Sequence, residues 1–412
     1  MILIIQAILF ALILVPFLMG VYLLVLTISA WAVTQRRSQS SVDDNKNFLF
    51  LIPAHNEEKL LPETLNNLLQ EIVYSKSKYE VVVISDNSID GTASVARKLG
   101  ATVFERFNDE LKGKGYALEW GLEKCWSLGK TPDAVVILDA DTVVSKNFLQ
   151  EMNASLQNGS KVIQAFYSVR NPDESWSAGL RYAALAVLHF VRPQGRSLYG
   201  GSAGLKGNGM VFDTDVIKNH RWSSSLTEDI EFHMDLLLSG EKVHFAPNAV
   251  VWAEMPNSID DANSQNERWE AGRLEMAKKY VPQLFRSAFK ADSIKNKQVI
   301  PQLDAIMEHV IPPFAIFSGI SVLLFALALS AFLFDRSNWL ASWNLLATLS
   351  LIIIQIFYLL SGLLLTKAPT SVYRQLLYAP FYILWKFLLI FRMTRKDSKD
   401  DWIRTTRNET QL

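Results

Sequence analysis

Residues Val135 to Asp141 read VVILDAD. An apolar run this short and unbroken, Val135 to Leu138, predicts a strand buried on both faces, as in a parallel sheet covered by helices. Asp139 and Asp141 follow it, one residue apart. In open α/β sheets, ligands bind beyond the carboxyl ends of the strands. Two hard oxygen ligands at such an end suit Mg²⁺ or Mn²⁺ already held by a diphosphate. Taken alone, the same residues also read as a solvated turn after a core strand, so the surrounding chain has to decide.

Upstream, the same plan repeats. Asn47–Pro53 reads as a first buried strand that breaks into Ala54-His55-Asn56-Glu57-Glu58, with an amphipathic helix from Leu60 to Val73. Val81–Ile84 is a second run, ending in Ser85-Asp86-Asn87-Ser88-Ile89-Asp90-Gly91-Thr92; a helix then runs to Lys98, with Gly100 as its stop signal. Ala101–Phe104 is a third strand, and Gly113–Leu128 has helical spacing. Strands alternating with helices predict a parallel, doubly wound α/β sheet with its polar clusters along one edge. That edge would gather Asn56 and Glu57, Asp86, and Lys112 and Lys114 with Gly113 and Gly115 around Asp139 and Asp141. The glycines let backbone approach a ligand, and a lysine offers a diphosphate a point charge. Each cluster also reads as an Asx turn, a cap or a hinge; their coincidence at one edge favours a site.

Lys161–Val169 reads as a further strand. Ser175–Val191 forms a helix with Leu180, Ala184, Leu188 and Val191 on one side and Arg181, Arg192 and Arg196 at its edges. Such a helix lies either in a membrane interface or between packed domains. Gly200–Met210 is rich in glycine, including Gly207, and carries Lys206 and Asn208; it suits a tight turn under a ligand before a strand Met210–Phe212. Thr227 is a natural N-cap with Glu228 and Asp229 in the first turn. Acidic residues are favoured there in any helix; the functional reading makes Asp229 the general base for an acceptor hydroxyl. A helix N-terminus lowers its pKa and burial raises it, and the sequence leaves that balance open. Gln265, Arg268, Trp269, Gly272 and Arg273 share one helical face. Arg suits a diphosphate and Trp a sugar or lipid acceptor; the plainer reading is a salt-bridged helix with one partly buried Trp.

The two ends are apolar. No charged residue occurs from Met1 to Val33, more than the roughly 20 residues that cross a bilayer. The start is not basic, so a retained anchor is expected rather than a signal peptide, and Arg36 and Arg37 place its end in the cytoplasm. Residues 310–334 and 345–366 are long enough to cross, and Lys367 follows the second. Leu376–Ile390 is apolar but shorter, with Lys386 within it and Arg374, Arg392, Arg395 and Lys396 around it, so residues 372–393 read as an interfacial or third C-terminal membrane helix. The expected division is an anchor at 1–34, a catalytic domain at 47–285, an interfacial linker at 286–309, these helices, and a basic, polar tail at 394–412. Lys and Arg number 41, as do Asp and Glu, which excludes a nucleic-acid binder held by bulk charge. The single Cys125 excludes an intrachain disulfide.

IPAHNEE, SDNSIDGT, KGKG, LDAD, TED and QNERW stand in the order seen in family-2 glycosyltransferases. From Phe48 to Tyr280 the chain resembles that family, and with its apolar segments it resembles the membrane-integrated branch: cellulose, chitin, hyaluronan and poly-N-acetylglucosamine synthases and ceramide glucosyltransferase. The resemblance implies a GT-A (Rossmann-like nucleotide-diphospho-sugar transferase) fold in a cytoplasmic domain of a multi-pass membrane protein, in the cell membrane if bacterial. It implies that Pro53, Ala54, Asn56 and Glu57 line the nucleotide pocket, that Asp86 recognises uracil, and that Lys114 lies near the nucleotide. Asp139 would serve the donor and the metal, Mg²⁺ or Mn²⁺, with Asp141 the metal ligand. Asp229, with Glu228 beside it, would be catalytic. Gln265 and Arg268 would bind the diphosphate, and Trp269 and Gly207 the acceptor. The implied reaction is an inverting transfer of a glucose- or N-acetylglucosamine-type sugar from a UDP-sugar to a lipid or glycan acceptor. The alternatives are a processive, exporting polysaccharide synthase and a non-catalytic sugar-nucleotide-binding scaffold. SDN replaces the two adjacent Asp of many members, and GLKGNGM departs from the synthases' glycine signature.

Overall fold

The computed structural model describes residues 2–34, 43–223, 225, 227–255 and 259–393, with side chains at all of these but 2, 259–268 and 387–393. Eight strands form one mixed sheet: β1 (Phe48–Ala54), β2 (Tyr79–Asp86), β3 (Thr102–Arg106), β4 (Ala134–Ile137), β5 (Thr142–Val144), β6 (Val162–Val169), β7 (Met210–Asp213) and β8 (Val243–Ala253), in the order β3-β2-β1-β4-β7-β6-β8-β5. β1, β2 and β4 are near-continuous apolar runs because helices cover both faces. On one face Phe48, Phe50 and Ile52 pack with Leu61, Leu65 and Leu68 in the main core, each burial worth about 1.5–3 kcal/mol. The other face carries the helix Lys114–Ser127, which approaches so closely at Gly121 that a Cβ there would stand 2.2 Å from Ile84 Cδ1.

The expected parallel sheet holds for β3-β2-β1-β4 and stops there. β7 runs antiparallel between β4 and β6, and β5 antiparallel to β8, while β6 and β8 are parallel. A parallel return needs a crossover lying on the sheet. The chain between β6 and β7 supplies none: residues 172–198 belong to a second compact unit, with residues 2–34 and 307–393, apart from the sheet unit of 43–171 and 199–306. Past that unit, Ala203 N donates to Val243 O at 2.8 Å and Gly209 N to Ile137 O at 3.1 Å, and Met210 begins β7 opposite Ile137, the last residue of β4. The glycine-rich segment before Met210 is thereby delivered to the edge where Asp139 and Asp141 emerge. The helix expected to run to Val73 is α-helical over Leu61–Asn66 and π-helical over Asn67–Glu71. Buried Asn67 exchanges hydrogen bonds with Val144 N (2.8 Å) and Val144 O (3.2 Å), a tertiary demand that shifts the helix register.

Among the described residues of the second unit, three helices are long and apolar enough to cross a membrane: Ile2–Thr34, Phe314–Phe334 and Trp339–Leu365. The span expected from residue 310 starts later because Pro312 and Pro313 separate it from the helix Val299–Val310. Polar pairs join the helices: Asn344 Nδ2 donates to Gln6 Oε1 at 2.9 Å, and Gln355 Nε2 to Ser321 Oγ at 2.7 Å. The helix Ala379–Met393 follows, described as far as Met393. The segment after Ser175 packs within this unit. Arg192 and Arg196 do not snorkel; they are 4% and 1% exposed. Arg192 Nε donates to Tyr358 Oη at 2.8 Å, and Arg196 pairs with Glu308.

Candidate active site

Parallel register sets the frame. Ala54 pairs with Ser85, Asp86 with Arg106, and Leu51 with Ile137, so the ends of β1, β2, β3 and β4 share one edge. Half-buried Asp139 and Asp141 follow β4 there. Lys114, first residue of its helix, reaches back to donate to Asp139 Oδ1 at 2.5 Å and to Gly207 O at 2.6 Å. Asn208 Oδ1 accepts from Asp139 N at 3.2 Å. Gly207 has φ +76°, and a Cβ on it would stand 3.4 Å from Asp229 Oδ2. The structure therefore brings Lys114, Asp139, Gly207 and Asp229 together, with Glu228 adjoining.

Glu228 and Asp229 open the helix Glu228–Ser239, which is braced on β7 by stacking of Phe232 on Trp222, centroids 4.5 Å apart, and by Phe212 against both. Thr227 occupies the N-cap position, but its hydroxyl makes no capping bond and has no partner among the described residues. Expected to cap, Thr227 is instead packed against the helix Ile259–Ala288: a Cβ at Gly272 would come within 2.4 Å of Thr227 Cγ2. The two helices are tied by Tyr280 Oη donating to Asp235 Oδ1 at 3.0 Å and by the Lys279–Glu231 ion pair.

The contest at Asp229 goes to burial, which raises the carboxyl above its ordinary range against Lys114, the Ile230 N–H and Lys206. Burial also pushes Glu228 up to about 7 against the pull of Lys114, with the charge on Asp229 adding to the rise. Burial works against the Lys114 ammonium, but Asp139, Glu228 and Asp229 outweigh it and hold its pKa above the usual value. A lysine thus serves as counterion to three carboxylates.

Asp86 lies farther along the edge, buried with Arg106, whose Nη1 is 2.5 Å from Asp86 Oδ1. Burial raises Asp86 against that guanidinium. Sequence reasoning passed over Arg106; the signal was an opposite charge at the end of the neighbouring parallel strand. His55 Nδ1 lies 2.7 Å from Asp86 O. Asn56, in the left-handed region at φ +56°, accepts from Ile89 N at 2.9 Å, and Glu57 N donates to Thr92 Oγ1 at 2.8 Å, so this loop is stitched to the one after β2. Half-buried Pro53 and buried Ala54 end β1. Trp269 is 42% exposed; the side chains of Gln265 and Arg268 lie outside the described residues. Among the described residues no group of three or more His, Cys, Asp or Glu side chains is placed to hold a metal ion by itself.

Gly115 is the tightest point. A Cβ there would sit 2.0 Å from the Ser223 carbonyl oxygen and 3.7 Å from Glu228 Cβ. Gly115→Ala must therefore displace backbone next to the carboxylates. The expected cost is about 1–3 kcal/mol of stability and roughly 100-fold in activity; thermal unfolding with a turnover assay checks it.

A family model described as glycosyltransferase like family 2 matches residues 45–272, more than half of the chain. The chain belongs to glycosyltransferase family 2. This glycosyltransferase is 26% identical over 246 residues to a poly-beta-1,6-N-acetyl-D-glucosamine synthase of Staphylococcus aureus (strain COL), covering 58% of each. It is 25% identical over 260 residues to the probable glycosyltransferase YdaM of Bacillus subtilis (strain 168), covering 61% of this chain and 59% of that one. The glycosyltransferase thus spans less than two thirds of either relative's length. In structure it is similar to the mannosyltransferase PcManGT of Pyrobaculum calidifontis, solved with GDP-Man and Mn²⁺: TM-score 0.50, 18% identity, covering 88% of this chain and 98% of that one. That likeness is one of fold, and the fold of the glycosyltransferase is GT-A, as its motifs lead one to expect.

Proposed function

We propose that this glycosyltransferase moves a sugar, with inversion, from a UDP-sugar to a lipid or glycan acceptor, working on the cytoplasmic side of a membrane that its apolar helices cross. The observation that carries this reading is the gathering of Lys114, Asp139, Gly207, Glu228 and Asp229 where β4 and β7 meet. Asp139 and Asp141 are a hard oxygen pair that fits Mg²⁺ or Mn²⁺, the remaining positions falling to donor phosphates. When bound, the ion would supply positive charge to the leaving diphosphate. Asp229 would take the acceptor hydroxyl proton as its oxygen attacks the anomeric carbon. Lys114, Gln265 and Arg268 would hold the diphosphate, Pro53, Ala54, Asn56, Glu57 and Asp86 the nucleoside, and Trp269 and Gly207 the acceptor. The poly-N-acetylglucosamine synthase relative favours a second reading, repeated transfer of N-acetylglucosamine into a polymer. Product size on a radiolabelled donor separates the two.

The test is nucleotide release by the purified protein with a panel of nucleotide sugars, with and without Mn²⁺, beside donor binding by Asp141→Ala. Release from one UDP-sugar that stops on chelation is expected, and Asp141→Ala should lose metal-dependent donor affinity by about 100-fold, since ligand-sphere changes cost 10-fold and more. Wild-type binding by that variant, or release indifferent to chelation, sinks the metal assignment. No release from any UDP-sugar sinks the donor assignment.

A further inference from the structure

We propose that residues 285–297 form a docking surface for the head-group layer of an anionic lipid bilayer; this rests on the membrane reading above. In the helix Ile259–Ala288, Tyr280, Leu284 and Ala288 point into the sheet unit and are 4%, 0% and 0% exposed. The residue after each of the last two faces solvent. Phe285 and Phe289 are 55% and 59% exposed, and their rings pair with centroids 5.2 Å apart. Ile294, on the short helix Ala291–Lys295, is also 59% exposed. Nothing in the folding of the unit calls for three large apolar side chains in water within one short stretch.

The charges between them say what covers the patch. Arg286, Lys290, Lys295 and Lys297 are all exposed, against the one acid Asp292. Long cationic side chains that reach outward around apolar bodies fit the boundary between acyl chains and phosphates, and basic clusters of this kind favour anionic leaflets. A two-fold contact with a second copy would set like charges against each other. The backbone is fixed rather than loose: Ile294 N donates to Lys290 O at 3.1 Å and Gln298 N to Ser293 O at 2.8 Å. The same chain continues into Phe314–Phe334, one of its membrane-length helices.

The buried Cys125, its thiol pushed by burial up to about 11, permits selective labelling elsewhere. The full-length protein carrying a fluorophore at Ala291→Cys, in nanodiscs of phosphatidylcholine with or without phosphatidylglycerol, is tested with nitroxide-bearing lipids; Leu327→Cys in the helix Phe314–Phe334 reports the membrane reading itself. The expected result is lipid quenching at 291 about threefold greater in anionic than in neutral discs, reduced to the neutral level by Phe285→Ser with Phe289→Ser or by Gln at Lys290, Lys295 and Lys297. Quenching at 327 without quenching at 291 overturns the docking surface alone, and absence at both overturns the membrane reading with it. Equal quenching in the two disc types overturns the anionic assignment. Energy transfer between labelled copies, without lipid quenching at 291, assigns the patch to a second copy and overturns the proposal.

Discussion

Asp229→Asn is expected to lower turnover about 10³-fold, within the range a general base supplies, while donor affinity stays within about threefold. The substitution keeps size and helix-start geometry, so the close approach of Gly207 to the residue-229 side chain survives; only the capacity to take a proton is lost. The pH profile gives a second readout. Asp229 must be ionised to accept a proton, and burial holds its pKa above the ordinary carboxylate range. Activity should therefore fall on acidification at a higher pH than an unperturbed Asp would dictate. Glu228, pushed up to about 7 in part by the charge on Asp229, keeps its proton across the acid limb. Glu228→Gln reproduces that neutral form and should leave the acid limb of kcat/KM in place. An acid limb displaced by Glu228→Gln would mean that Glu228 is the group whose ionisation it reports, and wild-type turnover by Asp229→Asn denies the base.

How much of this was legible from sequence depended on whether the determinant was local. VVILDAD announces a buried strand because a parallel strand is apolar on both faces, and β4 is that strand within one residue at each end. The direction of β7 has no local signature. Met210–Asp213 would read the same in either orientation, and its antiparallel entry follows from where residues 172–198 are spent. Arg196 shows the same limit. An Arg at the edge of an apolar helix reads as a snorkelling side chain until Glu308, more than a hundred positions later, is known to face it. Asp86 was singled out, yet its partner Arg106 was not, because the pair exists only through the β2–β3 register. Thr227 was expected to cap from its residue type, but the chain enters the helix with ψ +59° and leaves the hydroxyl unbonded. Residue type and spacing thus speak for elements and for the motifs at their ends, whereas counterions are assembled by pairing and packing across the chain.

Lys114→Met should bring the second large effect, a fall in turnover of about 100-fold, the scale of losing one positioned charge, together with a pH-dependent loss of stability. Methionine preserves the stem and deletes the ammonium that contacts Asp139 and Gly207 O. Breaking a buried pair costs about 3–5 kcal/mol. Here the Lys114 and Asp139 side chains are 19% and 34% exposed, so water screens part of that and about 1–3 kcal/mol is expected. With the lysine gone, the largest opposition to burial at Glu228 disappears, and its folded pKa climbs beyond about 7 while the unfolded value stays near 4.5. Across that window the folded state binds more protons than the unfolded one, so stability falls as pH rises. The variant should lie closest to wild type below about pH 4.5, where protonation does what lysine did, and farthest from it above neutrality. A cation able to occupy the vacated neighbourhood of Asp139 offsets the same charge, so Mn²⁺ should raise the melting temperature of the variant more than that of wild type. Thermal unfolding against pH, with and without Mn²⁺, measures both. A stability loss that is flat in pH and indifferent to the metal would mean that Lys114 supports the loop around Gly207 through its hydrogen bond rather than by neutralising the carboxylates.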